Sequence, residues 1–492
     1  MMSNPYCKEL SPFATVRTAV STLRINRRRF IYSTALAAGA LAARLTPADA
    51  GVKLKSPNEK LDIGCIGTGG GWRADYDVHE LAAMNATSWS GAQENIVALC
   101  DVDANYLNAM AQRFPGARLY KDYRVMLDKE KTLDAVGIAI PDHQHGPAAM
   151  MAMALGRHVY CEKPMTHSVW EARQLTLAAR KYGVITQMGN QGHCMEGNRQ
   201  LCEMIAAGAI GPVREVHCWT DRPVHVEGGP GWVQGHDRPP GSDPAPATLD
   251  WDLWLGPAPS RPFVSGWPDD RSVPVYCPHV WRGWWDFGCG AIGDMACHIM
   301  DGPYWALKLG APTTVEARSS KLMPEMAPWA SIIKFQFPAR GDMPPCSLTW
   351  YDGGQKPPKP TEMEAAQLEA NGALLIGDKG KIFTGTYGEN PHLLPESLMV
   401  DYKRPAPTIP RVPGNSPHKD FIRACKGGPA ACSNFDVSGP FTEMALLGNV
   451  ALRLGKKIEW DPANLKCPGT PEADAILHPA FREGWKVAPA QG

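Results

Sequence analysis

The chain has 492 residues, which exceeds the size of one small domain and predicts two or three domains. Its 50 basic and 50 acidic residues give a formal net charge of zero, so there is no basic surplus for binding nucleic acid or an anionic membrane. The 45 prolines and 48 glycines predict long, ordered loops between the regular elements.

The first 50 residues have the features of an export signal. Paired arginines occur in Asn26–Ile31, and a short, mostly apolar, alanine-rich run follows from Ile31 to Ala43. This run is too short to span a bilayer, and Ala48-Asp-Ala50 has the pattern of a cleavage site. Residues 1–50 are therefore predicted to be a twin-arginine signal peptide that directs the protein to the periplasm. The alternative is an uncleaved membrane anchor; after cleavage, no stable membrane insertion is expected.

The chain has 14 cysteines, a number that suggests disulfides in an exported protein. No Cys-x-x-Cys pair occurs, however, and Cys65, Cys100 and Cys161 lie within apolar runs. Because the twin-arginine route exports folded proteins, we expect most of these residues to be buried thiols that pack as small apolar groups.

A short apolar run from Leu61 to Ile66 ends in a glycine-rich turn. Such a turn can bring backbone N–H groups against the pyrophosphate of a dinucleotide, although glycine clusters also mark ordinary turns. Gly67 would permit the tight turn and Gly69 the close approach of the phosphates. Trp72 stands where the full G-x-G-x-x-G pattern has glycine or alanine. The candidate cofactor residues of this turn are Gly67, Gly69, Gly70, Gly71 and Trp72.

A second apolar strand, Asn95–Cys100, ends at Asp101. A carboxylate at the tip of the second strand accepts hydrogen bonds from the adenosine ribose and repels the extra phosphate of NADP, so Asp101 favours NAD. The spacing from Gly69 is 101 − 69 = 32 residues, against a usual value of about 20, and the polar stretch Ala83–Glu94 accounts for the difference as a loop insertion. The alternative is a solvated loop aspartate.

Strand and helix patterns alternate from Leu61 to about Met188. The predicted helices are Ala104–Phe114, Tyr123–Asp128, Pro147–Leu155 and Ser168–Tyr182. The further predicted strands are Arg118–Tyr120, Asp134–Ile140, His158–Cys161 and Val184–Met188. This alternation predicts an α/β domain with a parallel sheet over residues 51–188. Ligands bind at the carboxyl ends of strands in such sheets, and Asp101, Asp142 and Lys163 fall there with the glycine turn.

The composition changes after Thr220. Arg222–Trp285 is predicted to be mainly loop, and nine of the 16 tryptophans lie between Trp219 and Trp305. These rings would either stack on sugars or pack the loops, and both interpretations stay open. Strands are then predicted at Val213–Thr220, Thr313–Ser319, Ser331–Phe337, Cys346–Tyr351, Ala373–Ile376 and Gly380–Thr384, the later ones in an antiparallel sheet. Helices are predicted at Asn198–Ala207, His418–Cys425 and Phe441–Leu454.

Two stretches carry side chains suited to proton transfer. Asp294 and His298 are four residues apart, so on a helix they share one face. A carboxylate beside an imidazole orients it, and such a histidine can take a proton from an alcohol as hydride leaves the same carbon. Lys163 follows a strand directly, where it would point into the cleft and bond to a substrate hydroxyl. The plainer interpretations are a helix-start aspartate, a packed histidine and a surface lysine.

One histidine pair has a spacing that a metal site would use. His143 and His145 form a His-x-His pair. It lacks a third ligand at a recognisable spacing, so no metal site is predicted.

Taken together, these residues resemble the Gfo/Idh/MocA family of NAD(P)-dependent sugar oxidoreductases over most of residues 60 to 460. Leu61–Trp72 matches the nucleotide fingerprint of that family, apart from Trp72. Asp294 and His298 match its D-x-x-x-H catalytic pair. Pro141, Asp142 and His145 match its T-P-N-x-x-H loop, with Asp142 in place of the usual asparagine. Glu162, Lys163 and Pro164 match its E-K-P motif, in which the Lys–Pro bond is typically cis.

The resemblance implies an N-terminal Rossmann-type doubly wound parallel sheet and, over 189–492, a C-terminal α/β domain with a large open antiparallel sheet. That sheet usually forms a homo-oligomer interface. Lys163, Asp294 and His298 would be catalytic, and NAD, with NADP less favoured, would be the cofactor. The resemblance adds to the cofactor-binding set Pro141, Asp142, His145, Glu162 and Lys163. The tryptophan-rich loops and Tyr387–Pro391 look like an exported subgroup common in polysaccharide-degrading bacteria.

The leading hypothesis is a periplasmic oxidoreductase that transfers a hydride between a tightly bound nicotinamide cofactor and a secondary hydroxyl of a sugar or glycoside. Because the periplasm offers no sizeable NAD pool, the cofactor should be loaded before export and bound with nanomolar affinity, roughly −12 kcal/mol. The alternatives are a redox-neutral NAD-dependent glycosidase of the same fold and a non-catalytic sugar-binding protein.

Overall fold

The computed structural model of the chain describes residues 54–69, 88, 93–223, 231–363, 367–486 and 489–490. The predicted signal peptide, residues 1–50, lies outside them, as do Gly70, Gly71 and Trp72 of the glycine turn.

The N-terminal half of the described chain is organised around a parallel sheet. Its six described strands pair in the order β3-β2-β1-β4-β5-β6, and every neighbouring pair is parallel. The strands are β1 Asp62–Ile66, β2 Asn95–Cys100, β3 Arg118–Tyr120, β4 Ala135–Ile138, β5 His158–Glu162 and β6 Thr186–Gly189. All residues of β4, β5 and β6 are buried, as expected for parallel strands covered on both faces. The predicted doubly wound sheet is confirmed.

Helices connect these strands, and one begins earlier than predicted. They are α1 Ala104–Arg113, α2 Tyr123–Lys129, α3 Asp142–Ala154 and α4 Val169–Tyr182. A capping box between Ser168 and Glu171 starts α4. The prediction that α3 begins at Pro147 is wrong, because Pro147 lies inside the helix. Proline favours a first turn, but nearly every residue of α3 is buried, and this packing outweighs the one missing N–H.

The C-terminal half contains a second sheet of eight described strands in the order β13-β12-β11-β7-β10-β9-β8-β14. The strands are β7 Val213–Trp219, β8 Thr314–Ser319, β9 Ser331–Phe337, β10 Cys346–Tyr351, β11 Gly372–Gly377, β12 Gly380–Thr384, β13 His392–Leu394 and β14 Ile458–Glu459. The predicted antiparallel pairing holds for all neighbours except β7 and β10, which are parallel. The long chain between these two strands supplies the crossover that a parallel pair needs.

A long helix joins the two sheets. The helices of this half are α5 Gln191–Cys194, α6 Glu196–Ala206, α7 Trp251–Leu255, α8 Gly290–Ile299, α9 Asp301–Ala306, α10 Pro417–Cys425, α11 Phe435–Leu454 and α12 Asp474–Leu477. Helix α11 begins six residues before the predicted Phe441, because the side chain of Asn434 accepts a hydrogen bond from the backbone of Asp436 and caps it. A Cβ at Gly439 would lie 1.9 Å from Thr176 of α4, and one at Gly448 would lie 2.8 Å from Ile292 of α8.

The C-terminal segment returns to the first sheet. Phe421, Ile422 and Cys425 of α10 pack in one apolar cluster with Ile63 of β1 and with Leu61, which precedes it. This part of the chain therefore completes the core of the N-terminal sheet, although it follows the second sheet in sequence. The domain boundary at residue 188 stays a prediction.

The tryptophan-rich segment packs on itself. Apart from α7 and a short 3₁₀ turn at Val280–Gly283, its described residues are loop, as predicted. Trp254 and Trp284 are buried in an apolar cluster with Tyr276 and Phe287. The ring N–H of Trp284 donates to the carbonyl of Val275 at 2.7 Å. These contacts favour the interpretation that the tryptophans pack the loops.

The cysteines of the described chain have the state expected from the sequence. The 13 described cysteines are free thiols, and all but Cys277 and Cys432 are buried, which confirms the predicted packing role for most of them.

No helix in the described part of the chain has the length and apolar character needed to cross a membrane.

Candidate active site

The glycine turn after β1 sits against the end of β4, at the point where the strand order reverses. Gly67 has a φ of +89°, and a Cβ there would lie 2.2 Å from the carbonyl oxygen of Ala139. Its N–H donates to the carbonyl of Cys100 at 2.8 Å. Only glycine fits this backbone, and the crevice at such a reversal is where doubly wound sheets bind dinucleotides.

The second glycine of the turn faces a helix. A Cβ at Gly69 would lie 2.7 Å from the ring of Tyr106 on α1. The absence of a side chain at Gly69 therefore allows close packing against α1, in addition to the expected approach of phosphates.

Asp101 stands at the carboxyl end of β2, as predicted, and it braces the glycine turn. Its carboxylate accepts hydrogen bonds from the backbone N–H of Thr68 at 2.8 Å, from the Thr68 hydroxyl at 3.1 Å and from the N–H of Asp103 at 2.9 Å. Burial raises the pKa of this carboxyl to about 6, and the three hydrogen bonds oppose the rise. Two carboxylate oxygens offer about four acceptor sites, so capacity remains for a ribose hydroxyl.

Pro141 and Asp142 begin α3 at the carboxyl end of β4. Pro141 occupies the N-cap position, and Asp142 is buried in the first turn. The Asp142 carboxylate accepts a hydrogen bond from the N–H of Cys289 at 3.1 Å. Burial raises its pKa to about 7, while the charges of Arg282 and Lys163 lower it. Asp142 therefore links the first domain to the start of α8.

The two histidines that follow bind backbone carbonyl groups. His145 Nδ1 lies 2.8 Å from the oxygen of Pro164, and its Nε2 lies 2.7 Å from the oxygen of Ile140. The ring nitrogens of His143 lie 3.2–3.3 Å from carbonyls of residues 254, 255 and 287. Burial lowers the pKa of His145 to about 4. His145 thus braces the Lys163–Pro164 turn against the loop before α3.

Lys163 and Asp294 form a buried ion pair between the two halves of the chain. The Nζ atom of Lys163 lies 2.6 Å from Oδ1 of Asp294 and 2.8 Å from its backbone oxygen. The preceding residue, Glu162, ends β5 and is buried; a Cβ at Gly189 of the next strand would lie 2.6 Å from its carboxylate. The Lys163–Pro164 bond is cis, as the resemblance implied.

The Asp294 carboxylate binds two cations and forms no hydrogen bond to His298 among the described residues. Nε of Arg282 donates to Oδ1 of Asp294 at 3.2 Å, on the same oxygen that Lys163 contacts. Burial raises the pKa of Asp294, but Lys163 and Arg282 outweigh it and hold the pKa well below its usual range. Asp294 therefore holds Lys163 and Arg282, and its orienting effect on His298 stays a prediction.

His298 lies one helical turn after Asp294 on α8, as the spacing predicted, and is only 5% exposed. Its Nδ1 has no hydrogen-bond partner in the described part of the chain. Burial and then the positive charge of Lys163 lower the pKa of His298 to about 3, although the negative charge of Asp294 acts to raise it. His298 is therefore a neutral imidazole that interacts electrostatically with the carboxylate of Asp294.

A loop of the second domain places an aromatic ring beside His298. The ring of Tyr387 lies 4.7 Å from the imidazole, edge to face, and Tyr387 is 37% exposed. Glycines allow the loop to approach so closely: a Cβ at Gly197 would lie 2.1 Å from the carbonyl of Gly388, and a Cβ at Gly388 would lie 1.8 Å from Asn198.

Arg282 and His279 belong to this cluster, and sequence reasoning missed both. Nη1 of Arg282 donates to Nδ1 of His279 at 3.0 Å and to its backbone oxygen at 3.1 Å. Because a guanidinium only donates, Nδ1 accepts, and the proton of the neutral ring sits on Nε2. That N–H is buried and has no partner among the described residues. His279 also has a φ of +65°, which is rare for a residue with a side chain.

Asn190 is a third residue that was missed. It follows β6 directly and is fully buried, yet neither its amide oxygen nor its amide nitrogen has a partner in the described chain. Buried polar atoms are usually hydrogen-bonded. Its position after a parallel strand was the available signal, since Asp101 and Lys163 were found by the same rule. Arg282 and His279 lie in the aperiodic tryptophan-rich segment, where no spacing signals them.

The fold and this cluster define a dinucleotide-binding α/β protein with a second, sheet-based domain. Comparison with known families agrees. Residues 61–190 match the Gfo/Idh/MocA oxidoreductase family, NAD-binding Rossmann fold, and residues 231–337 match the C-terminal alpha/beta domain of the same family. The chain therefore carries both domains of the Gfo/Idh/MocA oxidoreductases, and the predicted family, fold class and NAD-binding domain are confirmed.

Individual relatives cover part of the chain. The D-glucoside 3-dehydrogenase of Escherichia coli K12 is 31% identical over 137 residues, which are 28% of this chain and 38% of that protein. The inositol 2-dehydrogenase of Rubrobacter xylanophilus is 27% identical over 163 residues, which are 32% of this chain and 43% of that protein. The chain thus spans less than half the length of these curated relatives.

A solved structure covers more. The WlbA dehydrogenase from Bordetella pertussis, in complex with NADH and UDP-GlcNAcA, matches 82% of this chain and 99% of its own, with a TM-score of 0.53 and 19% identity. At that identity the likeness shows the fold.

Proposed function

We propose that the protein is an NAD-dependent oxidoreductase that transfers a hydride between a tightly bound nicotinamide cofactor and a secondary hydroxyl of a sugar or glycoside. The observation that carries this proposal is the cluster of Lys163, Asp294 and His298 at the carboxyl ends of the parallel strands. The sugar dehydrogenases among the relatives support the substrate class.

The residues around the glycine turn fit NAD. Gly67 makes the tight turn at the end of β1, where a side chain would not fit, and Gly69 would permit the close approach of the phosphates. Asp101 lies at the tip of β2, where its remaining acceptor capacity suits a ribose hydroxyl and its charge disfavours a 2′-phosphate. Bound NAD would supply a hydride acceptor, which none of the side chains of this cluster can provide.

Within this cluster, His298 is the proposed base. Its low pKa keeps the imidazole neutral near neutral pH, so it can accept the proton of a substrate hydroxyl. The imidazolium that forms would be stabilised by the charge of Asp294. Because burial disfavours the charged imidazole, His298 should release the proton quickly after the hydroxyl has been oxidised.

Lys163 is the proposed donor to the reacting oxygen. An ammonium has three N–H bonds, and the oxygens of Asp294 accept two of them. The third is left for the substrate oxygen, where the positive charge favours the developing alkoxide. Asp294 is a positioning residue in this scheme, since it fixes Lys163 and Arg282.

Two residues are proposed to contact the sugar. The exposed ring of Tyr387 beside His298 offers an aromatic face for the apolar side of a pyranose. The buried Nε2–H of His279 could donate a hydrogen bond to a sugar hydroxyl when the sugar binds beside the Arg282–Asp294 pair. These contacts would orient one carbon of the ring toward the reacting groups.

We further propose export through the twin-arginine route and assembly as a homo-oligomer through the second sheet. The sequence features of residues 1–50 support export, and replacing Arg27 and Arg28 by lysine should leave the protein in the cytoplasm. One face of the sheet carries a second apolar cluster around Trp219 and Tyr351, with Ile332 partly exposed. Ile332→Glu should give smaller particles in size-exclusion chromatography with light scattering.

The activity is tested by adding a panel of sugars and glycosides to purified protein and analysing the products. A ketosugar formed together with reduced nicotinamide supports the proposal. Release of free aglycone without net oxidation would instead identify a redox-neutral glycosidase. Sugar binding with neither product would leave a non-catalytic binding protein.

A further inference from the structure

Two cysteines far apart in sequence bring their sulfur atoms together. Cys194 ends α5, Cys432 lies shortly before α11, and their Sγ atoms are 3.4 Å apart. We propose that Cys194 and Cys432 are a redox-active pair that closes to a disulfide under oxidising conditions. This inference does not depend on the proposed sugar chemistry.

The environment of the pair separates the two thiols chemically. The hydrogen bond with Cys194 lowers the pKa of Cys432, burial opposes this, and the charge of His193 lowers it further. The same hydrogen bond and burial raise the pKa of Cys194. Nδ1 of His193 in turn lies 2.9 Å from Oδ2 of Asp301, which favours the charged ring. The half-buried Cys432 is thus the better nucleophile and is also the more accessible sulfur.

A metal ion fits the same site less well. Asp420 is the third potential ligand within reach, since its carboxylate lies within 4.8 Å of both sulfurs. Each of its oxygens already accepts one hydrogen bond: Oδ2 from the N–H of Cys432 at 2.7 Å, and Oδ1 from Arg423 at 2.5 Å. Two thiols and one carboxylate also give only three ligands, whereas a structural zinc site has four.

The reaction needs an external disulfide as oxidant. The Cys432 thiolate attacks one sulfur of that disulfide, whose S–S bond breaks and releases one thiolate. Cys194 then loses its proton and attacks the sulfur of Cys432, which releases the second thiolate. Two protein thiols and one disulfide thus become one protein disulfide and two small thiols, and two electrons pass to the oxidant.

Formation of this disulfide would tether a helix that lies next to the candidate active site. Helix α5 follows Asn190 and packs against α8, which carries Asp294 and His298. The segment around Cys432 is held to the first sheet, because the N–H of Ser433 donates to the side chain of Gln187 at 3.1 Å. A disulfide here would therefore fix α5 to the end of the parallel sheet.

The test uses the full-length protein equilibrated with oxidised glutathione, blocked with an alkylating reagent and digested without reductant. Mass spectrometry is expected to find a peptide pair joined through Cys194 and Cys432, with two fewer alkylated cysteines than in the reduced protein. The joined pair should be absent in Cys194→Ser and in Cys432→Ser. It should remain in Cys277→Ser, which alters the other half-buried cysteine of the described chain.

Three results would overturn the proposal. The first is full alkylation of both cysteines after oxidation, and the second is glutathione attached to Cys432 without closure. The third is zinc that copurifies with the wild type and is lost in both serine variants, since that would identify a metal site. Peptide mapping of the wild type decides the first two outcomes even where a serine variant fails to fold.

Discussion

Nζ of Lys163 lies 2.6 Å from Oδ1 of Asp294, and this contact joins the parallel sheet to the helix that carries His298. Lys163 follows β5 of the first domain, and Asp294 comes from the second. Their side chains are only 7% and 13% exposed, so the pair is largely shielded from solvent. The proposed catalytic cluster therefore forms only when both domains are in place.

Removing the ammonium tests the role of Lys163. In Lys163→Met the substrate oxygen loses its proposed donor, and we expect kcat/KM to fall about 100- to 1,000-fold. Arg282 still neutralises Asp294, so the protein should fold and keep its cofactor. Steady-state kinetics and the dinucleotide content after denaturation measure both effects. Lys121→Met, at an exposed position, is the matched control and should behave like wild type.

Replacing the proposed base tests His298. His298→Asn removes the proton acceptor while keeping a side chain of similar size, and we expect kcat to fall about 100- to 10,000-fold with NAD content unchanged. Single-turnover kinetics should show that the chemical step has slowed. A variant that keeps wild-type kcat would remove His298 from the mechanism.

The Tyr387 ring should act on sugar binding. In Tyr387→Ala the stacking surface is lost, and KM for the sugar should rise about 3- to 10-fold, which corresponds to the 0.5–1.5 kcal/mol typical of an aromatic contact. Tyr387→Phe keeps the ring and serves as the control. An equal loss in both variants would instead assign the effect to the hydroxyl group.

Gly67 should be essential for cofactor binding. Alanine there meets a φ of +89° and a carbonyl oxygen 2.2 Å from its Cβ, so the turn must distort. We expect Gly67→Ala to lose bound dinucleotide and to lower the free energy of unfolding by about 1–3 kcal/mol. Gly116→Ala meets no atom within 4 Å and should change neither quantity. Dinucleotide release and urea unfolding provide the comparison.

His158 should make the protein sensitive to acid. Its Nδ1 accepts the N–H of Ile185 at 3.1 Å, and burial lowers its pKa from 6.5 to about 4. Above pH 6.5 the ring is neutral in both the folded and unfolded chain, so its stabilisation is fully present. As pH falls from 6.5 to 4, the unfolded chain binds a proton that the folded chain excludes, and stability is lost at about 1.4 kcal/mol per pH unit, roughly 3 kcal/mol in all.

The measurement is urea unfolding of wild type and His158→Gln across this pH range. Glutamine can still accept the N–H of Ile185 but does not titrate, so the slope of stability against pH should become shallower by about one proton. Equal slopes for wild type and His158→Gln would refute the assignment.

The parallel sheet and its ligand-binding edge were predictable because buried parallel strands are continuous apolar runs. Asp101 and Lys163 could be placed from such runs alone, and the four-residue spacing placed Asp294 and His298 on one helix face. The start of α11 could also have been predicted, since Asn434 is a typical N-cap residue, but the predicted helix began only at Phe441.

The contacts of Arg282 with Asp294 and with His279 were not predictable. Arg282 and His279 come from a loop without periodicity, and their contacts depend on how that loop packs around its tryptophans. Spacing on a helix shows which side chains share a face, but it does not show which cation approaches from another element. The spacing therefore placed Asp294 and His298 on one helix but did not reveal Arg282 beside Asp294.

The most direct test adds candidate sugars and methyl glycosides to purified protein with its dinucleotide bound and records the absorbance of reduced nicotinamide in a single turnover. We expect wild type to reduce about one equivalent of cofactor per chain with at least one sugar. His298→Asn should retain the cofactor but not reduce it. If no dinucleotide is bound and none binds when added, or if His298→Asn reduces it at the wild-type rate, the protein is not the proposed NAD-dependent oxidoreductase with His298 as its base.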